Sequence, residues 1–141
     1  MQSAGEASAE IVPCGGDGCT EVFCGASCRD WALQAGSHSL LCSGRLPAEC
    51  RTALQRLERL AAESETEHLL LLAHSVAQML LLLQGGEPLE AVLRRHAHQF
   101  ASAPWDSLAE AGGGSDANDT PESRRGLLAR AQVLMREVFA F

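Results

Sequence analysis

Five of the six cysteines in this chain of 141 residues lie between positions 14 and 42, and a histidine stands among them. The order of these side chains is Cys14-x4-Cys19-x4-Cys24-x3-Cys28-x9-His38-x3-Cys42. Zinc prefers four tetrahedral nitrogen and sulfur ligands, and thiolates a few residues apart reach one metal ion without strain. Cysteines at this density are rarely accidental, so the segment is predicted to fold around zinc.

The amino terminus does not resemble a secretory signal, because it contains Glu6 and Glu10 and lacks a basic run followed by an apolar stretch. An intracellular, reducing location in the nucleus or the cytoplasm is expected, where cysteines are metal ligands or buried thiols more often than disulfides. The glycines Gly15, Gly16 and Gly18 support metal binding because they let backbone N–H groups turn toward a thiolate sulfur.

Charge and hydropathy exclude two further classes of partner. The formal net charge is −7, with no basic cluster, so direct binding to a nucleic-acid backbone is not expected. The longest apolar stretch, Leu69–Leu83, is 15 residues long and contains His74, Ser75 and Gln78. A bilayer requires roughly 20 apolar residues, so no membrane association is predicted.

Composition divides the chain into a disordered polar leader at residues 1–12, a Cys/Gly-rich finger at residues 13–44 and a Leu/Ala-rich region at residues 45–141. Helical periodicity is recognised only in the third part. The predicted fold is therefore a small zinc-stabilised finger followed by a mainly α-helical segment of about four helices. Residues 110–120 are predicted to form a flexible loop, because they are rich in Gly, Ser, Asp and Asn.

The four helices are assigned from apolar spacing and from start and stop signals. They are predicted to begin at Pro47, at Ser64 with a Ser64–Glu67 capping box, at Pro88, and at Pro121 with Thr120 as the cap. The second helix is apolar almost all round and must therefore be surrounded by other elements. It belongs either to a small bundle or to a segment that packs against a larger body.

The run Val22–Trp31 (VFCGASCRDW), followed by His38-Ser-Leu-Leu-Cys42, resembles the second half of a MYND finger. That pattern is an aromatic residue, Cys-x3-Cys, an Asp-Trp or similar pair, and His-x3-Cys. The sequences of the Cys14–Cys19 and His38–Gly44 segments resemble those of SET-and-MYND protein-lysine methyltransferases, including the trithorax-related plant subgroup. A helical insert follows the finger there, and residues 45–141 match it loosely through helix order and Trp105-Asp106.

The resemblance implies two interleaved zinc sites. Carried onto this chain, it implies a complete site formed by Cys14, Cys19, His38 and Cys42, and half of a second site formed by Cys24 and Cys28. A Cys-x2-Cys that would complete the second site does not precede Cys14, so the chain is expected to begin inside a longer product or to have lost that site. The spacing leaves a rival open, in which the first four cysteines share one zinc and His38 and Cys42 take no part.

The chain itself is expected to be non-catalytic. The SET family transfers a methyl group from S-adenosylmethionine with an Asn-His pair and a tyrosine, whereas this chain has no tyrosine and no Asn-His pair, and its one asparagine is Asn118. S-adenosylmethionine is therefore expected only in a longer parent protein, where the rest of the SET domain would be the partner of this segment.

Two alternatives stay open. One is a stand-alone MYND adaptor that binds a protein or peptide partner in transcriptional regulation. The other is a zinc finger of the related HIT type, which shares the Cys-x3-Cys and His-x3-Cys ending. Trp31 lies between the predicted ligands and is expected in the small core of the finger and not as an anchor for a peptide.

Overall fold

A computed structural model describes residues 11–96 and 120–140. The chain forms two compact units, the first ending at Leu46 and the second beginning at Pro47. Composition had suggested a boundary two residues earlier. The described residues contain six helices and two short strands, so the protein is mostly helical. None of the described helices is both long and apolar enough to cross a membrane.

The first unit begins with a two-stranded antiparallel hairpin. Strand β1 (Val12–Pro13) pairs with strand β2 (Val22–Phe23), with Val12 opposite Phe23. Val12 thus lies in a strand and not in the predicted leader, of which residues 1–10 fall outside the described part of the chain. Val12 belongs to the hairpin because the backbone pairing continues beyond it. The backbone N–H of Cys14 donates to the carbonyl of Glu21 at 2.9 Å.

Two helices follow the hairpin, α1 (Ala26–Gln34) and the single turn α2 (His38–Leu41). The prediction that helices occur only after residue 45 was wrong. Helix α1 buries only Ala32, so it has no apolar stripe from which periodicity could be recognised. A helix without an apolar stripe depends on tertiary contacts for its stability, and its sequence carries no strong local pattern.

The second unit contains α3 (Ala48–Glu63), α4 (His68–Gln84), α5 (Leu89–His96) and α6 (Pro121–Val138). Helix α3 is central, since it packs against both α4 and α6, and α5 packs against α4. The apolar residues that recur at helical spacing in α3 are the ones that are buried: Cys50, Ala53, Leu54, Leu57, Leu60 and Ala61.

The start of α6 confirms its predicted cap. The Thr120 hydroxyl accepts from the Ser123 backbone N–H at 3.1 Å, and the Thr120 N–H donates to the Ser123 hydroxyl at 3.0 Å. The predicted capping box at Ser64 was wrong. The Ser64 hydroxyl donates to the Leu60 carbonyl of α3 at 2.6 Å, and α4 begins four residues later, at His68. A serine hydroxyl between two helices can donate to a carbonyl at the end of the first helix or accept from an N–H at the start of the second.

The described helices cover only part of α4, so they do not form the bundle that was one of its two predicted arrangements. Only Leu69, Ala73 and Ala77 are buried on this helix, whereas Leu71 is 65% exposed and Leu72 is 43% exposed. The helix is therefore not surrounded by the described residues. The third predicted helix runs from about Pro88 to Phe100, and its residues 97–100 lie outside the described part of the chain. Residues 110–119 of the predicted loop also lie outside it.

Candidate metal centre

The hairpin and α2 each supply two side chains to one cluster. Cys14 follows β1, and Cys19 lies three residues before β2, so the loop between the strands carries both thiols. His38 is the first residue of α2, and Cys42 is the residue that ends it. Residues four apart on a helical turn point to the same side, which directs His38 and Cys42 toward the hairpin loop.

Three of the distances within the cluster are close to those of a tetrahedral metal site. The Cys14 and Cys42 Sγ atoms are 3.6 Å apart, and His38 Nε2 lies 3.3 Å from Cys14 Sγ and 3.7 Å from Cys19 Sγ. All four ligand atoms lie within 4.8 Å of one another. Around a zinc ion, ordinary bond lengths at tetrahedral angles place two sulfurs about 3.8 Å apart and a sulfur and a nitrogen about 3.6 Å apart. The group is therefore compatible with zinc.

The surroundings of Cys14 lower the pKa of its thiol. Burial opposes ionisation of Cys14, but hydrogen bonds from the Gly16 N–H and from the thiols of Cys42 and Cys19, with the nearby positive charge of Arg45, hold its pKa below the ordinary value. This is the N–H-to-sulfur contact for which glycines after Cys14 were expected. These contacts favour the thiolate form of Cys14, which is the form that binds metal ions.

The pKa of Cys42 shifts in the opposite direction, although its sulfur also accepts a hydrogen bond from a glycine N–H. Burial and the contact with Cys14 raise its pKa to about 11, in spite of a hydrogen bond from the Gly44 backbone N–H. Two buried thiols at contact distance do not both ionise readily, because each thiolate repels the other. A divalent cation between them would remove that repulsion, since metal binding displaces the thiol protons.

Cys24 and Cys28 lie apart from this cluster. Cys24 follows β2, Cys28 is in the first turn of α1, and both are exposed. Their Sγ atoms are 3.2 Å apart, and this contact raises the pKa of Cys28. Within residues 11–96 and 120–140, the four-residue cluster is the sole grouping of three or more candidate ligands, so this pair gains no third ligand there. The rival four-cysteine arrangement is not the one that the structure forms.

The two loops that carry the cysteines are in close contact at their glycines. A Cβ atom on Gly44 would lie 2.4 Å from the Asp17 nitrogen and 2.5 Å from the Gly16 carbonyl carbon. Gly15 and Gly18 have φ angles of 75° and 71°, which side chains disfavour. The first loop thus turns tightly enough for the second to lie directly on it.

We expect Gly44→Ala to weaken metal binding by about 10- to 100-fold, the range found when groups that support metal ligands are disturbed. The new methyl group would overlap backbone atoms, which cannot rotate away, and would separate the two ligand loops. Zinc affinity by competition with a chromogenic chelator measures the change. Gly25→Ala is the matched control, since a Cβ there meets no atom within 4 Å. Equal affinities for the two variants would contradict the role assigned to Gly44.

Two aromatic residues of the first unit have different environments. The rings of Phe23 and His38 meet edge to face, with centroids 5.6 Å apart, so Phe23 helps to hold the imidazole in position. Trp31 is 64% exposed, and its expected place in a small core was therefore wrong. Large exposed aromatic side chains are typical of surfaces that bind proteins.

Sequence reasoning missed the support that Gly44 and Phe23 give to the cluster. A signal was present for Gly44, since Cys14-Gly15-Gly16 and Cys42-Ser43-Gly44 repeat the same Cys-x-Gly pattern. In both copies the glycine N–H reaches the sulfur two residues before it. The repeat therefore marks the two cysteines whose sulfur accepts a hydrogen bond from a glycine N–H.

The chain is mostly helical, with a Cys/His cluster near its amino terminus that is compatible with metal binding. No family model matches the chain, and comparison with curated proteins and with solved structures found no match.

Proposed function

We propose that residues 12–46 form a zinc-binding module of the MYND type, with one zinc ion held by Cys14, Cys19, His38 and Cys42. The observation that carries this proposal is the convergence of these side chains at distances close to those of tetrahedral zinc. The rest of the proposal rests on the sequence resemblance. The chain would serve a SET-domain protein-lysine methyltransferase as a non-catalytic, architectural part.

The site is suited to a structural ion. Its three thiolates and one imidazole fill all four positions of a tetrahedral ion, and a catalytic zinc needs one position for water. Cys14 and Cys42 are also buried, at 6% and 0% exposure, so substrate access to the ion would be poor. The proposed metal therefore holds the loops together and takes no part in a reaction.

One observation favours a second candidate, a stand-alone adaptor that binds a protein or peptide. Trp31 is exposed on α1 of the proposed module, where a side chain of this size can serve as an anchor for a partner. The genomic sequence on either side of this reading frame distinguishes the two candidates. A Cys-x2-Cys before residue 1 and an Asn-His with a tyrosine after residue 141 would support the methyltransferase, whereas stop codons on both sides would leave the adaptor.

Cobalt substitution tests the metal site directly. We expect the purified chain to bind one Co²⁺ with the intense visible absorption of a tetrahedral site that contains three thiolates. Because the chain would lose its nitrogen ligand, His38→Cys is expected to shift this absorption to that of a four-thiolate site, and His38→Ala to weaken binding of Co²⁺ and zinc strongly.

The double variant Cys24→Ser/Cys28→Ser is the control, because both thiols are outside the cluster. Its cobalt spectrum should equal that of the unaltered chain. If His38→Ala left the zinc content unchanged and the double variant abolished it, the assignment of the four ligands would be wrong.

A further inference from the structure

Cys24 and Cys28 are the two cysteines of this chain that are exposed. All six cysteines lie in the described part of the chain and are free thiols, and the other four are buried or partly buried. Reagents in the solvent therefore reach this pair more readily than the rest, because access is one of the two conditions for thiol reactivity.

The two thiols are side by side at the start of α1. Cys24 lies two residues before the helix begins at Ala26, and Cys28 is the third residue of the helix. The Arg29 backbone N–H donates to the Gly25 carbonyl at 3.1 Å and closes the turn between them. This turn places the two Sγ atoms 3.2 Å apart.

The pair is close to the geometry of an intrachain disulfide. A disulfide bond is about 2.05 Å long, so the two sulfurs would have to approach each other by only about 1.2 Å. Both side chains are exposed, which leaves them free to rotate. A Cβ atom on Gly25 would meet no atom within 4 Å, so no other element packs against that side of the turn.

This chain offers the pair few further ligands for a metal ion. Among the residues that the structure describes, no third candidate ligand joins Cys24 and Cys28. The remaining residues of the sequence contain no cysteine and one histidine, His98. Zinc requires four ligands, whereas two adjacent exposed thiols are sufficient for reversible oxidation.

We propose that Cys24 and Cys28 form a reversible modification site, a dithiol that low-molecular-weight disulfides of the glutathione class oxidise to an intrachain disulfide. Cys24 is the attacking thiol, and Cys28 is the thiol that resolves the mixed disulfide. Both lie outside the proposed zinc site, so this inference is independent of the proposed function.

The oxidation consists of two thiol–disulfide exchanges. The Cys24 thiol loses its proton to solvent, and the thiolate attacks one sulfur of oxidised glutathione, whose S–S bond breaks and releases one glutathione thiolate. The Cys28 thiolate then attacks the Cys24 sulfur, and the second glutathione leaves as the new S–S bond forms. Two protein thiols are oxidised while one disulfide is reduced to two thiols, so excess reduced glutathione reverses the reaction.

The contact between the thiols supports this order of attack. The hydrogen bond and the charge of Cys24 raise the pKa of Cys28, so Cys28 is the weaker first nucleophile. A Cys24 sulfur in a mixed disulfide carries no charge, so this cause then disappears. The position of Cys28 in the first turn of α1 favours its thiolate at that stage, because helix N-termini stabilise negative charge.

The disulfide would lie beside Trp31. Cys28 and Trp31 are three residues apart on α1 and therefore lie on the same side of the helix. The Trp31 side chain is 64% exposed. The reduced and the oxidised chain thus present different surfaces next to this tryptophan.

Peptide mapping of the full, zinc-saturated chain tests the proposal. The chain is treated with oxidised glutathione, its remaining thiols are alkylated in denaturant, and it is cleaved after Glu21 and Arg29. The peptide Val22–Arg29 contains Cys24, Cys28 and no other cysteine. We expect this peptide to be free of alkyl groups and lighter by two hydrogen atoms. Excess reduced glutathione should return it to the doubly alkylated form.

A serine variant separates the two exchanges. Cys28→Ser should retain glutathione on Cys24, because the thiol that displaces it is missing. We expect the unaltered chain to retain at least about tenfold less bound glutathione than this variant, since a thiol held next to the mixed disulfide reacts as an intramolecular group. Cys50→Ala is the matched control, because it removes a buried cysteine and should behave as the unaltered chain does.

Three results would overturn the proposal. The peptide Val22–Arg29 could stay doubly alkylated in excess oxidised glutathione, or Cys28→Ser could retain no more glutathione than the unaltered chain. The double variant Cys24→Ser/Cys28→Ser could also bind one zinc ion fewer, which would assign the pair to a metal. Oxidation of the cysteines of the proposed zinc site, alongside the disulfide in Val22–Arg29, would support this proposal and count against that site.

Discussion

Removal of zinc is expected to unfold residues 12–46 and to leave the helices of the second unit formed. The described part of the first unit buries only three aliphatic side chains, Ala32, Leu41 and Leu46. A core of this size supplies little stabilisation, and domains this small generally need a metal or disulfides. Structural zinc contributes about 10–16 kcal/mol of apparent binding free energy in zinc-finger peptides, and the proposed ion would supply it here as folding free energy.

Addition of a strong chelator, followed by ¹⁵N–¹H NMR, measures this effect. Amide signals of residues 12–46 should collapse to random-coil positions, while the helical circular dichroism of the second unit remains. Excess zinc should restore the dispersed spectrum. Chelator that leaves those amide signals dispersed would show that zinc does not hold this unit together.

Cys42→Ala should reproduce the effect of the chelator without any reagent. Cys50→Ala is the matched control, since Cys50 is a buried cysteine of α3 outside the cluster. The control should bind zinc normally and lose only a small amount of stability, because the change removes one sulfur atom from the packing around α3.

Leu57→Ala is expected to lower the free energy of unfolding of the helical unit by about 2–5 kcal/mol. Leu57 has no exposed surface, and it lies midway along α3, the helix against which α4 and α6 both pack. Truncation loses the transfer free energy of the removed carbons and leaves a cavity that neighbouring helices fill only partly. Small domains are stable by about 5–15 kcal/mol, so this loss is a large fraction of the total.

Urea unfolding followed by helical circular dichroism measures the loss, on protein saturated with zinc. Leu71→Ala provides the matched control, because the same atoms are removed from a leucine that is 65% exposed. A change within about 0.5 kcal/mol is expected for the control. Similar losses for the two variants would mean that α3 is not the centre of this unit.

Much of the helical unit could be predicted from the sequence because its signals are local. The apolar stripe of α3 recurs at helical spacing, and the same residues are buried. Thr120 and Ser123 at the start of α6 form their cap within four residues of chain. The capping box predicted at Ser64 failed because two local hydrogen bonds compete for this hydroxyl. The Ser64 hydroxyl donates to a carbonyl at the end of α3 and does not cap the start of α4.

The environment of α4 could not be predicted from its sequence. A helix that is apolar almost all round has no periodic signal that selects one face for burial. The packing of the other helices leaves Leu71 and Leu72 exposed and leaves a groove along the stripe of Leu72, Val76 and Leu80. Of the two predicted arrangements, the described helices do not form a bundle that encloses α4, and packing against a larger body stays a prediction.

For the candidate metal centre, the sequence by itself determined the kinds of ligand and their local pairing. Cys14 with Cys19, and His38 with Cys42, are close in the chain, so short turns bring each pair together. Only the tertiary structure decided which pairs meet, because that depends on how the hairpin and α1 direct the chain between residues 19 and 38. The tertiary structure brings His38 and Cys42 next to Cys14 and Cys19. It leaves Cys24 and Cys28 exposed outside the cluster.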